Sequence, residues 1–185
     1  VIFGIGFIIY TLAGGMTAVA YTNIMHLTAM YGGILLALFI VGKDLGGLSA
    51  VTSALPAGYT NWFSIGPSKV SSWIIASILG ACTAQAGIQP ILAAKDVHVA
   101  RKAAFITALV VAPFGIFTAL LGMAAKVKFP DINAKLALPT LMMNMHPVAG
   151  GIVLASIMAA VLSTVSPIIL ASGTMITKDI YHRVL

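Results

Sequence analysis

The 185-residue sequence is 60% apolar and 8% charged, against roughly a quarter charged in an ordinary soluble domain, which excludes a water-soluble fold. Ten Lys and Arg against four Asp and no Glu give a net charge of +6. The basic residues stand singly or in pairs at the ends of apolar runs, as headgroup anchors do, so the expected partner is the lipid bilayer and not nucleic acid.

Uncharged runs cover residues 1–42, 70–94, 103–125 and 136–177, each longer than the roughly 18 residues that suggest a membrane span. They are continuous and rich in Ala, Leu, Ile and Gly, without the alternation of barrel strands. The expected fold class is therefore an all-α polytopic membrane protein. Five transmembrane helices are predicted, over 1–13, 17–42, 70–94, 98–125 and 148–177.

The first has no basic leader region or small-residue cleavage site and is not read as a signal peptide. Thirteen helical residues reach about 20 Å, short of the roughly 30 Å hydrocarbon core, so this helix is expected to begin upstream of Val1. In the second, Tyr21, Thr22, Asn23 and His26 sit near one end. Asn23 and His26, three apart on one face, read as interhelical hydrogen-bond partners.

Residues 45–68 are also uncharged, but Gly46, Gly47, Pro56, Gly58, Gly66 and Pro67 lie among Ser, Thr and Asn. A short surface helix is predicted there instead of a sixth span, with Tyr59 and Trp62 as interfacial anchors. The same holds for 136–145, ahead of His146 and Pro147.

The third run contains Gly80-Ala81-Cys82-Thr83-Ala84-Gln85-Ala86-Gly87-Ile88-Gln89-Pro90. Its small residues suit close helix packing. Its two glutamines, threonine and proline equally suit a discontinuous helix whose unwound backbone lines a solute cavity. Cys82 stands alone and forms no intrachain disulfide.

The fifth run concentrates the polar groups, which are costly inside a membrane helix. In Ala160-Val161-Leu162-Ser163-Thr164-Val165-Ser166-Pro167, positions 160, 163, 164 and 167 share one helical face. Pro167 has no amide proton for the Ser163 carbonyl, leaving carbonyl oxygen beside two hydroxyls. Hard oxygens suit a small hard cation such as sodium; the same hydroxyls could simply bond back to the preceding turn.

Basic residues divide evenly between the two membrane sides: Lys95, Arg101, Lys102, Lys178 and Arg183 against Lys43, Lys69, Lys126, Lys128 and Lys135. Only the two arginines lean towards a cytoplasmic first side. No Cys and His spacing suggests zinc or haem, and no Ser-His-Asp trio or phosphate loop occurs, so an enzyme reading finds no support.

Three stretches resemble the sodium:solute symporter family in order and spacing. They are Tyr10-Thr11-Leu12-Ala13-Gly14-Gly15-Met16-Thr17-Ala18-Val19 leading to Tyr21-Thr22-Asn23, then Gln89-Pro90-Ile91-Leu92-Ala93-Ala94-Lys95, and residues 159–166 followed by Thr177-Lys178-Asp179-Ile180-Tyr181. The resemblance implies a leucine-transporter-type fold of two inverted five-helix repeats in a multi-pass cell-membrane protein. Residues 1–185 would be a partial transporter domain. Residues 1–42 would supply the last two helices of the first repeat, 43–69 an extracellular loop with an interfacial helix, and 70–185 the first three helices of the second repeat.

It implies sodium-coupled symport of a small organic solute by alternating access, completed by the remaining helices of the full-length transporter. Sodium would be held by the Ala160 carbonyl and the Ser163 and Thr164 hydroxyls. Ser77, Gly80, Ala81, Thr83, Ala84 and Gln85 would line the solute cavity, and Asn23 and Ser166 an ion pathway. Residues 89–102 and the end after Thr177 would be cytoplasmic. The sequence departs from the family at Asn23, where an aspartate is usual, and at His26, Pro90 and Pro167, where a glutamine, an arginine and a hydroxyl are usual. A second sodium is accordingly not expected, and Gly80 and Ala81 offer no aromatic ring of the kind that gates sugars. The alternatives are a symporter-like sensor domain fused to a signalling kinase and a proton-coupled carrier.

Overall fold

The structure is a computed structural model describing residues 2–61 and 63–184. Val1 and Trp62, the expected start of the first helix and one expected anchor, lie outside the described residues. Helix α1 (Ile2–Asp44) contains one non-helical residue, Gly15, at φ 53 and ψ −143. That conformation is closed to a side-chain-bearing L-residue, so the Gly14-Gly15 pair is where the first two predicted helices meet.

After α1 the chain forms α2 (Leu48–Ala54) and a 3-10 turn, Ala57–Thr60. These are the short elements expected in place of a sixth span, and Tyr59 stays exposed. Helix α3 (Pro67–Thr83) starts three residues earlier than predicted because Pro67 occupies its first turn, where a missing amide proton costs nothing. It breaks at Ala84 (φ −74, ψ 108), and α4 (Gln85–Leu92) leaves at 54°. The discontinuous reading of the third run is the one adopted.

Asp96 caps α5 (Val97–Lys128), its side chain accepting from the Val99 amide at 2.8 Å. A 3-10 turn (Ala134–Leu136) and α6 (Ala137–Met143) precede α7 (Pro147–Met175). This last helix passes Pro167 without a break and continues as a π-helical segment, Ile176–Tyr181.

Among the described residues three helices are long and apolar enough to cross a membrane: Ala13–Asp44, Val97–Lys128 and Pro147–Tyr181. The bent pair α3 and α4 makes a fourth if taken as one broken span. Four of the five predicted spans thus have a counterpart, the third as the bent pair, and the stretch ahead of Gly15 is joined to the second within α1.

Lipid offers no hydrophobic drive for helices to associate, so close backbone approach must hold them. Helix α1 lies along α7, and at Gly33 it approaches so closely that a Cβ would strike the Ser156 side chain. Tyr31 of α1 packs its ring on Phe114 and Phe117 of α5, at 5.4 and 6.3 Å between centroids, and its hydroxyl donates to the Val110 carbonyl.

The buried core gathers at one end of the molecule. It is made by Ala37 and Val41 of α1, Val51 and Leu55 at α2, Leu121, Ala124 and Ala125 of α5, Leu141 of α6 and Val153 of α7. Lys128 and Asp44 pair at that end, 3.0 Å apart. At the other end the packing is thin. Helices α3 and α4 bury no residue, and α4 meets the rest of the chain along α7.

Candidate ion and solute site

On α7 the Ser163 hydroxyl donates to the Ala160 carbonyl at 2.9 Å, and the Thr164 hydroxyl donates to the same carbonyl at 3.1 Å. Three oxygens thus converge within one helical turn. Each hydroxyl spends its single proton on that carbonyl, which leaves its lone pairs turned outward. Ser163 is half-buried against α1, where its Oγ lies 4.0 Å from the Met30 sulfur, and Thr164 is exposed. The arrangement is a back-bonded pair of hydroxyls and, equally, three oxygens gathered within one helical turn.

Ser166 is fully buried and donates to the Leu162 carbonyl at 3.0 Å. On α1, Asn23 and His26 are half-buried. The Asn23 Oδ1 and His26 Nδ1 atoms, with Thr11 Oγ1 further up the helix, are buried with no hydrogen-bond partner among the described residues. The reading of Asn23 and His26 as interhelical hydrogen-bond partners is thus not met at these two atoms. Their unmet capacity marks this stretch of α1 as polar ground beside α7.

The six cavity-lining candidates separate. Ser77, Gly80 and Ala81 are exposed on α3, Ala84 is the bend itself, and Thr83 donates back to the Leu79 and Gly80 carbonyls at 3.1 and 3.2 Å. Gln85 opens onto a cavity of about 340 Å³ between α4, α7 and the start of the long part of α1. Gln89, Thr174, Lys178, Asp179 and Met16 also line it. It is α4, carrying Gln85, that packs along α7.

Two contacts escaped the sequence reading. Met30 beside Ser163 carries no polar signal, and only the 3.6-residue stripe through Asn23, His26 and Met30 could have found it. The Gln89 amide donates to Thr174 Oγ1 at 3.3 Å, joining residues 85 positions apart. No local pattern predicts such a pair.

The comparisons with known proteins agree with one another. The sodium/mannose cotransporter SLC5A10 of Bos taurus is 26% identical over 225 residues, covering 95% of this chain and 36% of that protein. Sodium/glucose cotransporter 4 of Homo sapiens is 26% identical over 223 residues, 95% of this chain and 32% of that protein. The sodium/pantothenate symporter of Haemophilus influenzae is 26% identical over 188 residues, 94% of this chain and 38% of that protein. The chain spans about a third of the length of these relatives. No solved structure matches it. The model of the sodium:solute symporter family matches residues 1–185, the whole of the chain; this all-α, multi-pass membrane chain belongs to that family of transporters.

Proposed function

We propose that the chain is part of a sodium-coupled symporter for a small organic solute, working by alternating access, and that sodium is held on α7 by the Ala160 carbonyl, Ser163 Oγ and Thr164 Oγ1. The observation that carries the reading is the convergence of both hydroxyls on one carbonyl in a chain of this family. In this reading residues 1–42 end the first repeat, 43–69 form the outer loop and 70–185 open the second repeat. The other sodium ligands belong to helices outside this sequence.

The hydroxyls turn lone pairs to the ion while their protons stay on the helix, so binding needs no proton transfer. Sodium then favours the outward-open arrangement because its ligands are complete only there, and solute binding lets the bundle rock. The chain bends at Ala84 beside Gln85, the kind of discontinuity that lines solute sites. Asn23 and Ser166 continue the polar path along the α1–α7 contact.

The solute is proposed to be other than a sugar. Gly80 and Ala81 present no ring of the kind that gates sugars.

The test uses the full-length protein in proteoliposomes, with sodium replaced by choline at constant pH. Uptake is expected to collapse. Ser163→Ala and Thr164→Ala are each expected to raise the sodium concentration for half-activation about tenfold, the effect of losing roughly 1.4 kcal/mol of binding, with membrane insertion unchanged. Equal uptake in choline, or an unchanged sodium dependence in both variants, overturns the assignment.

A further inference from the structure

We infer that Tyr31 is a positioning residue, whose hydroxyl ties α1 to the proline turn of α5 and so fixes the face of α1 that meets Ser163 on α7. The inference rests on the transport reading above for the importance of Ser163, and on separate contacts for the rest. On α5, Val110, Pro113, Phe114 and Phe117 are half-buried, while residues 111, 112, 115, 116 and 118 are exposed. That spacing of three and four is one helical stripe, and it runs on into Leu121 and Ala124 of the buried core. It is the side of α5 turned to α1. Pro113 weakens it, because it has no amide proton for the Leu109 carbonyl and its ring crowds the turn before it.

Such a turn is tolerated in a membrane helix where a neighbouring helix brings polar groups to the weakened backbone. Here the neighbour is α1, and the group is the Tyr31 hydroxyl, which donates to the Val110 carbonyl in the turn that Pro113 crowds. The ring below that hydroxyl is seated by Phe114, tilted at 57°, and by Phe117, edge-on at 88°. Tyr31→Phe therefore keeps the seat and removes only the tie.

Met30 precedes Tyr31 and so stands about 100° away around α1. Its sulfur lies 4.0 Å from Ser163 Oγ. Gly33, on the same side as Met30, closes on Ser156, about two turns of α7 from Ser163. Over these residues α1 is a spacer with one face on each neighbour. Both partners of every contact belong to this chain, so the arrangement does not wait on helices outside it. Turning α1 about its own axis would carry Met30 off Ser163, and the Tyr31 hydroxyl resists that turn because α5 holds it.

The experiment takes the full-length protein, with its other reactive cysteines removed, carrying Met30→Cys and Ser163→Cys, and measures the rate of disulfide formation under a mild oxidant. The pair is expected to form the disulfide, and Tyr31→Phe to slow it about threefold, the shift that losing one hydrogen bond inside a membrane protein brings. In a Pro113→Ala background, where the helix has its amide proton back, Tyr31→Phe is expected to leave the rate close to that background's own. A pair that forms no disulfide, a rate that Tyr31→Phe leaves unmoved, or an equal slowing in both backgrounds overturns the inference. With Met30 and Ser163 restored, Tyr31→Phe is expected to raise the sodium concentration for half-activation of uptake about threefold at an unchanged maximal rate. A fall in the maximal rate alone would give Tyr31 a packing role only and overturn the positioning one. Disulfide trapping does not depend on uptake. A protein that traps as expected yet takes up solute equally in choline would overturn the transport reading and leave the tie between Tyr31 and α5 standing.

Discussion

Single atoms decide the chemistry of α7. Serine and threonine in lipid ordinarily turn their protons back onto the helix, and Ser163 and Thr164 do so. What distinguishes them is that they share one acceptor, which packs three oxygens into a turn. That convergence was legible in the spacing 160, 163, 164, because an i−3 and an i−4 bond from adjacent residues meet at one carbonyl. Whether it holds an ion was not legible there, since the ligands that would complete it belong to other helices. Gly15 makes the same point for the backbone. The Gly14-Gly15 pair announced a break, and the structure places it at Gly15 with φ 53. Gly15→Ala is expected to cost about 1–3 kcal/mol of stability in the detergent-solubilised full-length protein, read as a lower thermal midpoint. Gly122→Ala, where a Cβ meets open space in a regular helix, should be neutral or stabilise by up to about 1 kcal/mol.

Elements pack here by backbone proximity more than by burial. Helix α1 approaches α7 at Gly33 and Ser156, where the serine is buried and holds its hydroxyl on the Val153 carbonyl at 2.6 Å. Gly33→Ala is expected to wedge the two helices apart at a cost of about 1–3 kcal/mol. Adding Ser156→Gly should recover most of the lost thermal midpoint; a double variant no better than the single one would show that the strain lies elsewhere. The sequence made the helices themselves plain, because uncharged length is enough to define them. Their number is matched for four of the five, the third as a bent pair, while the stretch ahead of Gly15 joins the second within α1. The boundaries moved for identifiable reasons: Pro67 starts α3 early, and the lysines at 126 and 128 extend the end of α5, where basic residues suit the helix dipole.

For the molecule as a whole, charge sets the energetics of the proposed cycle. One sodium entering through about 100 mV gains about 2.3 kcal/mol, and a tenfold gradient adds about 1.4, enough to concentrate a neutral solute roughly 500-fold. A monoanion cancels the voltage term and is concentrated only about tenfold. Uptake by the full-length protein under an imposed voltage at fixed sodium gradient should therefore respond steeply for a neutral solute and little for a monoanion. The membrane class was legible from composition alone, and the family from three stretches spread along the chain. The uneven distribution of packing was not, because it depends on which ends of α1, α5 and α7 meet, and the paired Lys128 and Asp44 mark that end only in three dimensions.

That lopsided packing has a mechanical outcome. A knit jaw at one rim and a short helix joined beyond a bend form a lever, in which a small turn at the joint becomes a larger travel at the tip. Gln89 lies five residues beyond Ala84, about 7.5 Å along the helix, so a turn of roughly 20° carries it about 2.6 Å.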